Sequence, residues 1–483
     1  MRHPLRTWLM AAILAFTLPV ATPTLAVEDF DLPRLGAGNS VSGNEELRLG
    51  RAWLRQFRAR APAWQDPIAQ DYVESLVGRL LPHSGLGDTR PIVTLVDSRM
   101  LNAFAVPGGV MGVNSGLFAF ASDEASLASV LAHELGHLSQ NHYARRMARA
   151  EETQIPAMAA MLAGMLIAAG GGGEAGIGVA MGSQAAFLQD QLAYSRRFEQ
   201  EADRIGLQTL AQAGYDPDAM VDMFRAMQRM AALQGGNPPE FLLTHPVTES
   251  RVTDADARAS QISVSRPRPE EPQYDLIRAR ALLDLNRSNP ERALARLTEG
   301  DPADVAERYL KALIAAERGQ TEAALAHLDA LADTLPDLPM IATSAAEVAF
   351  DAGDHAATLE RTQRLLRLFP DYLPARRLRA EALLHHDPAQ AYQALRELTD
   401  RRPEDPTLFA LLAEAAGRSG QEAWGHLARA EHMQLTGRID SAIRQLEVAK
   451  QVAQNSSDST ALARIEQRRE AFLGYRETME KFR

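Results

Sequence analysis

Two histidines and a glutamate in LAHELGHLSQNHY, residues 131–143, have the spacing of a metal-dependent hydrolytic site. His133 and His137 are four positions apart, so on a helix both imidazoles face the same way and can bind one metal ion. Glu134 is turned by about 100° from His133, where it can accept a proton from an attacking water. Short patterns of this kind also arise by chance in ordinary helices, so the identity of a third ligand decides between the two interpretations.

The residues that follow the histidine pair exclude one class of zinc peptidase. Metzincin spacing requires a glycine at position 140 and a histidine at position 143, whereas this chain has Gln140 and Tyr143. His142 lies five residues beyond His137 and is turned away from the face that would bind metal. We therefore predict that His142 is a surface histidine and that the third ligand lies elsewhere in the chain.

An acidic helix downstream supplies a candidate for the third ligand. In YSRRFEQEADRIG, residues 194–206, Glu199 and Asp203 are four positions apart and share one helix face. Glu199 can therefore bind the metal while Asp203 accepts a hydrogen bond from an imidazole N–H. Glu201 is an alternative ligand, but it is turned by about 200° from Glu199. A solvated acidic helix face has the same pattern, and the presence of both motifs in one chain favours the metal site.

The sequence also predicts the elements that position these helices. Apolar residues at helical spacing occur between residues 40 and 82, and the β-branched run 92–96 predicts a strand. NAFAVPGGVMGVN, residues 102–114, predicts two strands joined by a turn at Pro107-Gly108-Gly109. Ser122, followed by two acids, predicts the start of the helix that carries the histidines. We expect a small β-sheet beside that helix.

The C-terminal part of the chain is rich in alanine and leucine and contains a repeat. Gly319 and Gly353 are 34 positions apart, as are Pro336 and Pro370, and Pro403 follows 33 positions later. A period of this length with a proline after the helix is typical of tetratricopeptide helix pairs, although an α-solenoid of another lineage has a similar pattern. Either type of repeat stacks into a curved surface suited to binding.

A change in composition marks the boundary between the repeats and the part of the chain that contains the two motifs. SVSRPRPEEPQ, residues 263–273, is proline-rich and charged, as linkers are. We place a signal peptide at 1–26, a catalytic domain at 27–262 and the repeat domain at 274–483. Because the linker isolates the repeats and stacked repeats bury their own core, we expect the repeat domain to fold alone.

The N-terminus has the layout of a cleavable secretory signal. Arg2 and Arg6 precede an apolar run, and small residues end at Ala26. Removing these two arginines changes the formal net charge from −11 to −13, an acidic balance that argues against nucleic acid as a partner. The chain has no cysteine, which excludes disulfides and a lipid anchor at the cleavage site.

The two motifs together resemble a known peptidase family. HELGH, followed by E-x-x-A-D-x-x-G at residues 199–206, is similar to the gluzincin metallopeptidases of the CAAX prenyl protease and HtpX type. The resemblance implies one Zn²⁺ ion per chain, with His133, His137 and Glu199 as its ligands. It also implies Glu134 as the general base and Asp203 as the residue that orients a ligand. The expected fold is mostly α: a zinc metalloprotease domain with a small β-sheet, followed by a tetratricopeptide-repeat α-solenoid.

Two further segments resemble the same family. NAFAVPGG is similar to its substrate-binding edge strand, so an extended peptide is expected to pair with Asn102, Ala103, Phe104 and Ala105. LLTHPVTESR, residues 242–251, is similar to its T-H-P segment, which places His245 near the metal. His245 would either stabilise the transition state or occupy the open metal position as a latch. A loop histidine beside Pro246 without a catalytic role is the alternative.

The combination of a secretory signal, a soluble catalytic part and repeats implies a cellular role by resemblance. It implies a periplasmic endopeptidase that degrades misfolded outer-membrane β-barrel proteins, with repeats that bind the β-barrel assembly machinery. A chaperone or adaptor whose proteolysis is secondary is the alternative. Residues 155–182, apolar and then glycine-rich, replace the transmembrane spans of membrane-bound relatives and could make peripheral contact with a membrane.

Overall fold

The computed structural model describes residues 43–87, 89–146, 148–149, 195–233 and 240–480. The predicted signal peptide and the apolar stretch 155–182 lie outside these residues. Among the helices that are described, none is long and apolar enough to cross a membrane.

Two helices precede a small sheet, as the periodicity predicts. Helices α1 (Gly43–Arg58) and α2 (Pro67–Leu80) are followed by a short 3-10 turn, Leu81–His83. The carboxylate of Asp66 caps α2 by accepting hydrogen bonds from two backbone amides of its first turn. The strands are β1 (Ile92–Val96), β2 (Ala103–Val106) and β3 (Val110–Asn114).

The sheet leaves β2 at one edge. The strand order is β1-β3-β2, with β1 parallel and β2 antiparallel to β3. Gly108 and Gly109 turn the chain between β2 and β3 with φ values of 80° and 71°, which favour glycine. The outer edge of β1 is covered, because the Trp64 amide donates to the Leu95 carbonyl at 3.3 Å. Among the described strands, none pairs with the outer side of β2, the strand predicted to bind substrate.

The helix that carries the histidines runs through the middle of the N-terminal part. After α3 (Ser115–Phe120), helix α4 (Glu124–Ser139) buries most of its length against the sheet and the neighbouring helices. Asp123, not Ser122, caps α4, because its carboxylate accepts from the Ser126 amide at 2.8 Å. The predicted start is therefore displaced by one residue. The Glu124 carboxylate accepts hydrogen bonds from Tyr72 and Arg79 of α2, which anchor this end of the helix.

The remaining described helices of the N-terminal part follow α4, and α7 packs against it. Helices α5 (142–146) and α6 (195–212) contain the second half of the histidine segment and the acidic motif. They are followed by α7 (Asp218–Leu233), α8 (Glu240–Thr244) and α9 (Glu249–Ala259).

Stacked helix pairs form the repeat array, residues 273–480. Gly319 and Gly353, with φ values of 73° and 80°, turn the chain between the two helices of successive pairs. Pro336 and Pro370 follow the ends of second helices, as the period predicts. These positions confirm a tetratricopeptide-type solenoid. Its helices are α10 (Gln273–Leu285), α11 (Pro290–Thr298), α12 (Asp304–Glu317), α13 (Thr321–Thr334), α14 (Pro339–Asp351), α15 (His355–Leu368), α16 (Leu373–His386), α17 (Pro388–Arg401), α18 (Pro406–Arg418), α19 (Glu422–Leu435), α20 (Ile439–Asn455) and α21 (Ser459–Glu480).

The repeat array and the N-terminal part share a hydrophobic core that extends from Trp64 to Val348. The Tyr274 hydroxyl donates to the Ala121 carbonyl at 2.8 Å, in a buried position. The linker itself lies against the N-terminal part, because the Arg268 amide donates to the Gly214 carbonyl at 3.0 Å. The linker therefore does not isolate the repeats. A proline-rich composition predicts an extended segment but contains no information about what that segment packs against.

We now expect a fragment containing only the repeats, residues 274–483, to be less stable than the full chain. It would expose the core shared with α2 and α3, and it would leave Arg280 without the Asp66 carboxylate that contacts its Nε at 2.7 Å. Thermal melting and dye binding to exposed apolar surface would measure this. A fragment that melts cooperatively at the temperature of the full chain would contradict the expectation.

Candidate metal centre

Small residues in both motifs allow α4 and α6 to cross closely. A Cβ atom on Gly136 would lie only 3.0 Å from the Cα of Ala202. A Cβ atom on Gly206 would lie 3.3 Å from the backbone nitrogen of His133. Larger side chains at these positions would push the two helices apart. The glycines and alanine of the motifs thus bring the histidine pair opposite Glu199.

Four side chains converge at this crossing. The Nε2 atoms of His133 and His137 are 3.0 Å apart, and Oε2 of Glu199 lies 3.5 Å from Nε2 of His133. His245, which follows α8, brings its Nδ1 to 3.1 Å from the same carboxylate oxygen. One ligand atom from each of the four residues lies within 4.8 Å of every other. The structure therefore brings together the three predicted ligands and His245.

This donor set fits a divalent metal ion. Imidazole nitrogens and a carboxylate oxygen are the donors that zinc prefers in peptidases. The Nε2 atoms of His133 and His137, 3.0 Å apart, are close enough for one ion to bind both. Oε1 of Glu134 is buried, 3.7 Å from Nε2 of His245, and has no hydrogen-bond partner among the described residues. A water molecule delivered to the metal would provide that partner.

Burial and charge set the protonation of the cluster. Burial raises the pKa of the Glu134 carboxyl, which suits a group that must accept a proton. Burial also lowers the pKa of His137 well below its usual value, which favours the neutral form that binds metal. Burial opposes ionisation of Glu199, but hydrogen bonds to His133 and His245 lower its pKa well below the usual value.

A buried arginine holds the outer side of the cluster. Asp203 lies 2.9 Å from Nδ1 of His133, on the side away from the other ligands, as predicted for an orienting carboxylate. Arg251 donates from Nε and Nη2 to Asp203, each at 2.7 Å. Its Nη1 lies 3.0 Å from Glu199 and donates to the Pro246 carbonyl at 2.9 Å. Arg251 thus ties the His245 segment to the ligands. Sequence reasoning missed it, although it is the last residue of the T-H-P segment.

His142 is not a surface histidine, contrary to the prediction. It is only 3% exposed, and its Nδ1 lies 2.8 Å from Nδ1 of His137. Its Nε2 lies 2.9 Å from the Glu201 carboxylate, which also forms an ion pair with Arg145 at 2.8 Å. Because α4 ends and Asn141 adopts a φ of 50°, the chain turns, and a helical projection no longer describes where His142 points. Glu201 therefore contacts a neighbour of His137 and lies outside the four-residue cluster.

The outer edge of β2, which no described strand covers, faces Glu134. The Asn114 amide donates to the Asn102 carbonyl at 3.1 Å, so these two residues form a hydrogen-bonded pair. Hydrogen-bonded and non-hydrogen-bonded pairs alternate along antiparallel strands. The backbone N–H and C=O groups of Ala103 and Ala105 therefore point away from β3. The backbone of Ala105 is close enough to Glu134 to oppose the rise in the pKa of that carboxyl that burial causes. A cleft of about 1080 Å³ joins this edge to His137 and His245. The predicted substrate strand therefore borders the cluster.

Comparisons with known proteins agree with this geometry. The profile of peptidase family M48 matches residues 67–259. The "Putative beta-barrel assembly-enhancing protease" of Vibrio cholerae is 34% identical to this chain, over 97% of this chain and 99% of that protein. The "Beta-barrel assembly-enhancing protease" of Escherichia coli is 32% identical, over 95% of each. The "Mitochondrial metalloendopeptidase OMA1" of Schizosaccharomyces pombe is 30% identical over 40% of this chain and 54% of its own length.

The similarity to the bacterial proteases extends over nearly the full length of both chains, the repeats included. The more distant mitochondrial relative shares a smaller part of this chain. These matches confirm the resemblance to a metallopeptidase family that the two motifs indicate. The chain is a metallopeptidase and belongs to peptidase family M48.

Proposed function

We propose that this chain is a zinc endopeptidase whose single Zn²⁺ ion is held by His133, His137 and Glu199. The observation that carries the proposal is the convergence of these ligands beside a buried Glu134 and a free strand edge. A zinc ion bound there would act as a Lewis acid towards the peptide carbonyl. Glu134 takes a proton from the attacking water and passes it to the leaving amine. Asp203 and Arg251 keep the His133 ring in place.

The substrates are extended or unfolded chains. A peptide that pairs with Ala103 and Ala105 forms backbone hydrogen bonds with the free edge of β2, as an added strand. Its scissile bond then lies beside Glu134. A folded protein has no free strand of the required length to offer, so the site selects for unfolded segments.

The relatives and the N-terminal sequence support a proposed cellular role. Two full-length relatives are named for the enhancement of β-barrel assembly. With a signal peptide cleaved after Ala26, the chain acts in the periplasm, degrades misassembled outer-membrane β-barrel proteins and binds the assembly machinery through its repeats. A holding function of the repeats can coexist with proteolysis. The retention of Glu134 and of every ligand favours an active peptidase over a scaffold alone.

This proposal can be tested with a purified outer-membrane β-barrel protein offered in urea-unfolded and in detergent-folded form. We expect metal-dependent cleavage of the unfolded form and little cleavage of the folded one. Dipicolinate should stop the reaction, and added zinc should restore it. Cleavage of both forms at one rate, or cleavage that persists without metal, would contradict the proposal.

His245 is also proposed to act as a latch. Its Nδ1 is within 3.3 Å of His133 Nε2 and within 3.1 Å of Glu199 Oε2, so it lies among the atoms that would bind the metal. An imidazole in that position occupies the site that water needs. A role for His245 in stabilising the transition state remains the competing hypothesis.

The two hypotheses predict opposite effects of His245→Ala. If the latch is closed in about nine molecules of ten, its removal raises casein hydrolysis about tenfold. If His245 stabilises the transition state, the same change lowers hydrolysis. The measurement compares wild type and variant at matched zinc content. A variant that is equal to or slower than wild type would exclude the latch.

A further inference from the structure

Three aromatic side chains cluster on one wall of the cleft. The rings of Trp53 and Phe57, both on α1, stack with centroids 4.9 Å apart. Phe104 of β2 contacts both rings edge-on, at 5.5 Å from Trp53 and 5.2 Å from Phe57. We call these three residues the aromatic platform. All three remain partly exposed and line the same cleft as Glu134 and His245.

The backbone of the sheet makes room for this cluster. Phe104 pairs with Gly112 across the sheet, and a Cβ atom on Gly112 would lie 2.0 Å from the Phe104 ring. The ring therefore lies flat over the neighbouring strand instead of standing upright. Helix α1 approaches the sheet closely as well, because a Cβ atom on Gly50 would lie 2.1 Å from the Pro107 carbonyl oxygen. Because neither glycine has a side chain, the rings of α1 and β2 can pack against each other.

The platform lies at the strand that would receive a substrate. Phe104 is flanked by Ala103 and Ala105, whose backbone groups form the free edge of β2. In a peptide added to this edge, alternate side chains lie on the Phe104 face, and the residue opposite Phe104 has its Cβ within about 5.5 Å of the Phe104 Cβ. Side chains on that face would contact the rings.

We propose that the aromatic platform is a specificity subsite that binds large apolar side chains at alternate positions of an extended peptide substrate. This inference rests on the proposed peptidase function and names the sequences that the site prefers. Aromatic and aliphatic side chains gain contact with three rings at little conformational cost, whereas an aspartate or glutamate would lose its hydration against them. Alternating apolar residues are also what one face of an amphipathic β-strand offers once it is unfolded.

Two readouts test the platform. Peptide libraries and unfolded casein, digested by wild type and analysed by mass spectrometry, should show large apolar residues at every second position near the cleaved bond. For a matched pair of peptides with Phe or Asp at such a position, Trp53→Ala should lower kcat/KM for the Phe peptide about tenfold, mainly through KM. The Asp peptide should change little. Leu368→Ala, at an exposed leucine of the repeats, serves as the control.

Phe57→Leu keeps an apolar side chain without the ring and provides a second variant if Trp53→Ala does not fold, as judged by thermal melting. Binding of the two peptides to Glu134→Gln protein, followed by fluorescence anisotropy, measures the same preference without hydrolysis. An absence of cleavage by wild type would count against the proposed function, while the binding ratio would still decide on the platform. Equal binding of both peptides, or a ratio unchanged by either folded variant, would overturn the inference.

Discussion

Glu134→Gln is expected to lower casein hydrolysis by about 10²–10⁴-fold while the protein keeps its fold and its metal. The substitution preserves the size and shape of the side chain. It removes only the capacity to accept a proton. Because Glu134 is 1% exposed, solvent has little access to replace it as the base.

The matched control for this variant is Glu249→Gln. Glu249 is an exposed acid in the first turn of α9, and its neutralisation should leave hydrolysis unchanged. Activity and zinc content are measured on the same preparations. A Glu134→Gln protein that is loaded with zinc and retains near wild-type turnover would show that another group accepts the proton.

Glu199→Gln is expected to abolish stoichiometric zinc binding, and hydrolysis with it. Glu199 is the carboxylate ligand proposed for the ion, and it is 2% exposed. An amide is neutral and a weaker donor than a carboxylate, and the buried Arg251 beside it would lose one of its two anionic partners. Metal analysis after dialysis measures the bound zinc. Thermal melting of the metal-free protein shows whether the variant still folds.

Glu201→Gln is the paired control, two residues away on the same helix. Its carboxylate lies 2.9 Å from His142 and outside the ligand cluster, and a glutamine can still accept a hydrogen bond there. We expect this variant to keep one zinc per chain. If Glu201→Gln lost the metal and Glu199→Gln kept it, the assignment of the third ligand would have to be reversed.

The parts of this protein that sequence could predict are those that depend on local periodicity. The spacing of His133 and His137, and of Glu199 and Asp203, determines which side chains share a helix face, and the structure places them accordingly. The turn at Gly108 and Gly109 requires positive φ, which glycine signals directly. Family resemblance added His245, whose loop position no periodicity could indicate.

What sequence could not predict depends on contacts between distant elements. His142 is buried because the chain turns after α4 and meets Glu201 from another helix. Arg251 reaches two carboxylates of α6 from α9, and no spacing within its own segment indicates that. The packing of the repeats on α2 and α3 is likewise a tertiary property. The composition of the linker therefore wrongly predicted that the repeats are separate from the N-terminal part.

A zinc titration of metal-free protein, followed by hydrolysis of labelled casein, tests whether the cluster of His133, His137 and Glu199 is the catalytic metal centre. We expect no hydrolysis without metal, a linear rise with added zinc, and a plateau at one equivalent per chain. Glu199→Gln should show no rise over the same range. Two results would contradict the assignment of this cluster as the catalytic metal centre. One is hydrolysis by the metal-free protein at the full rate, and the other is a titration curve of Glu199→Gln that matches that of wild type.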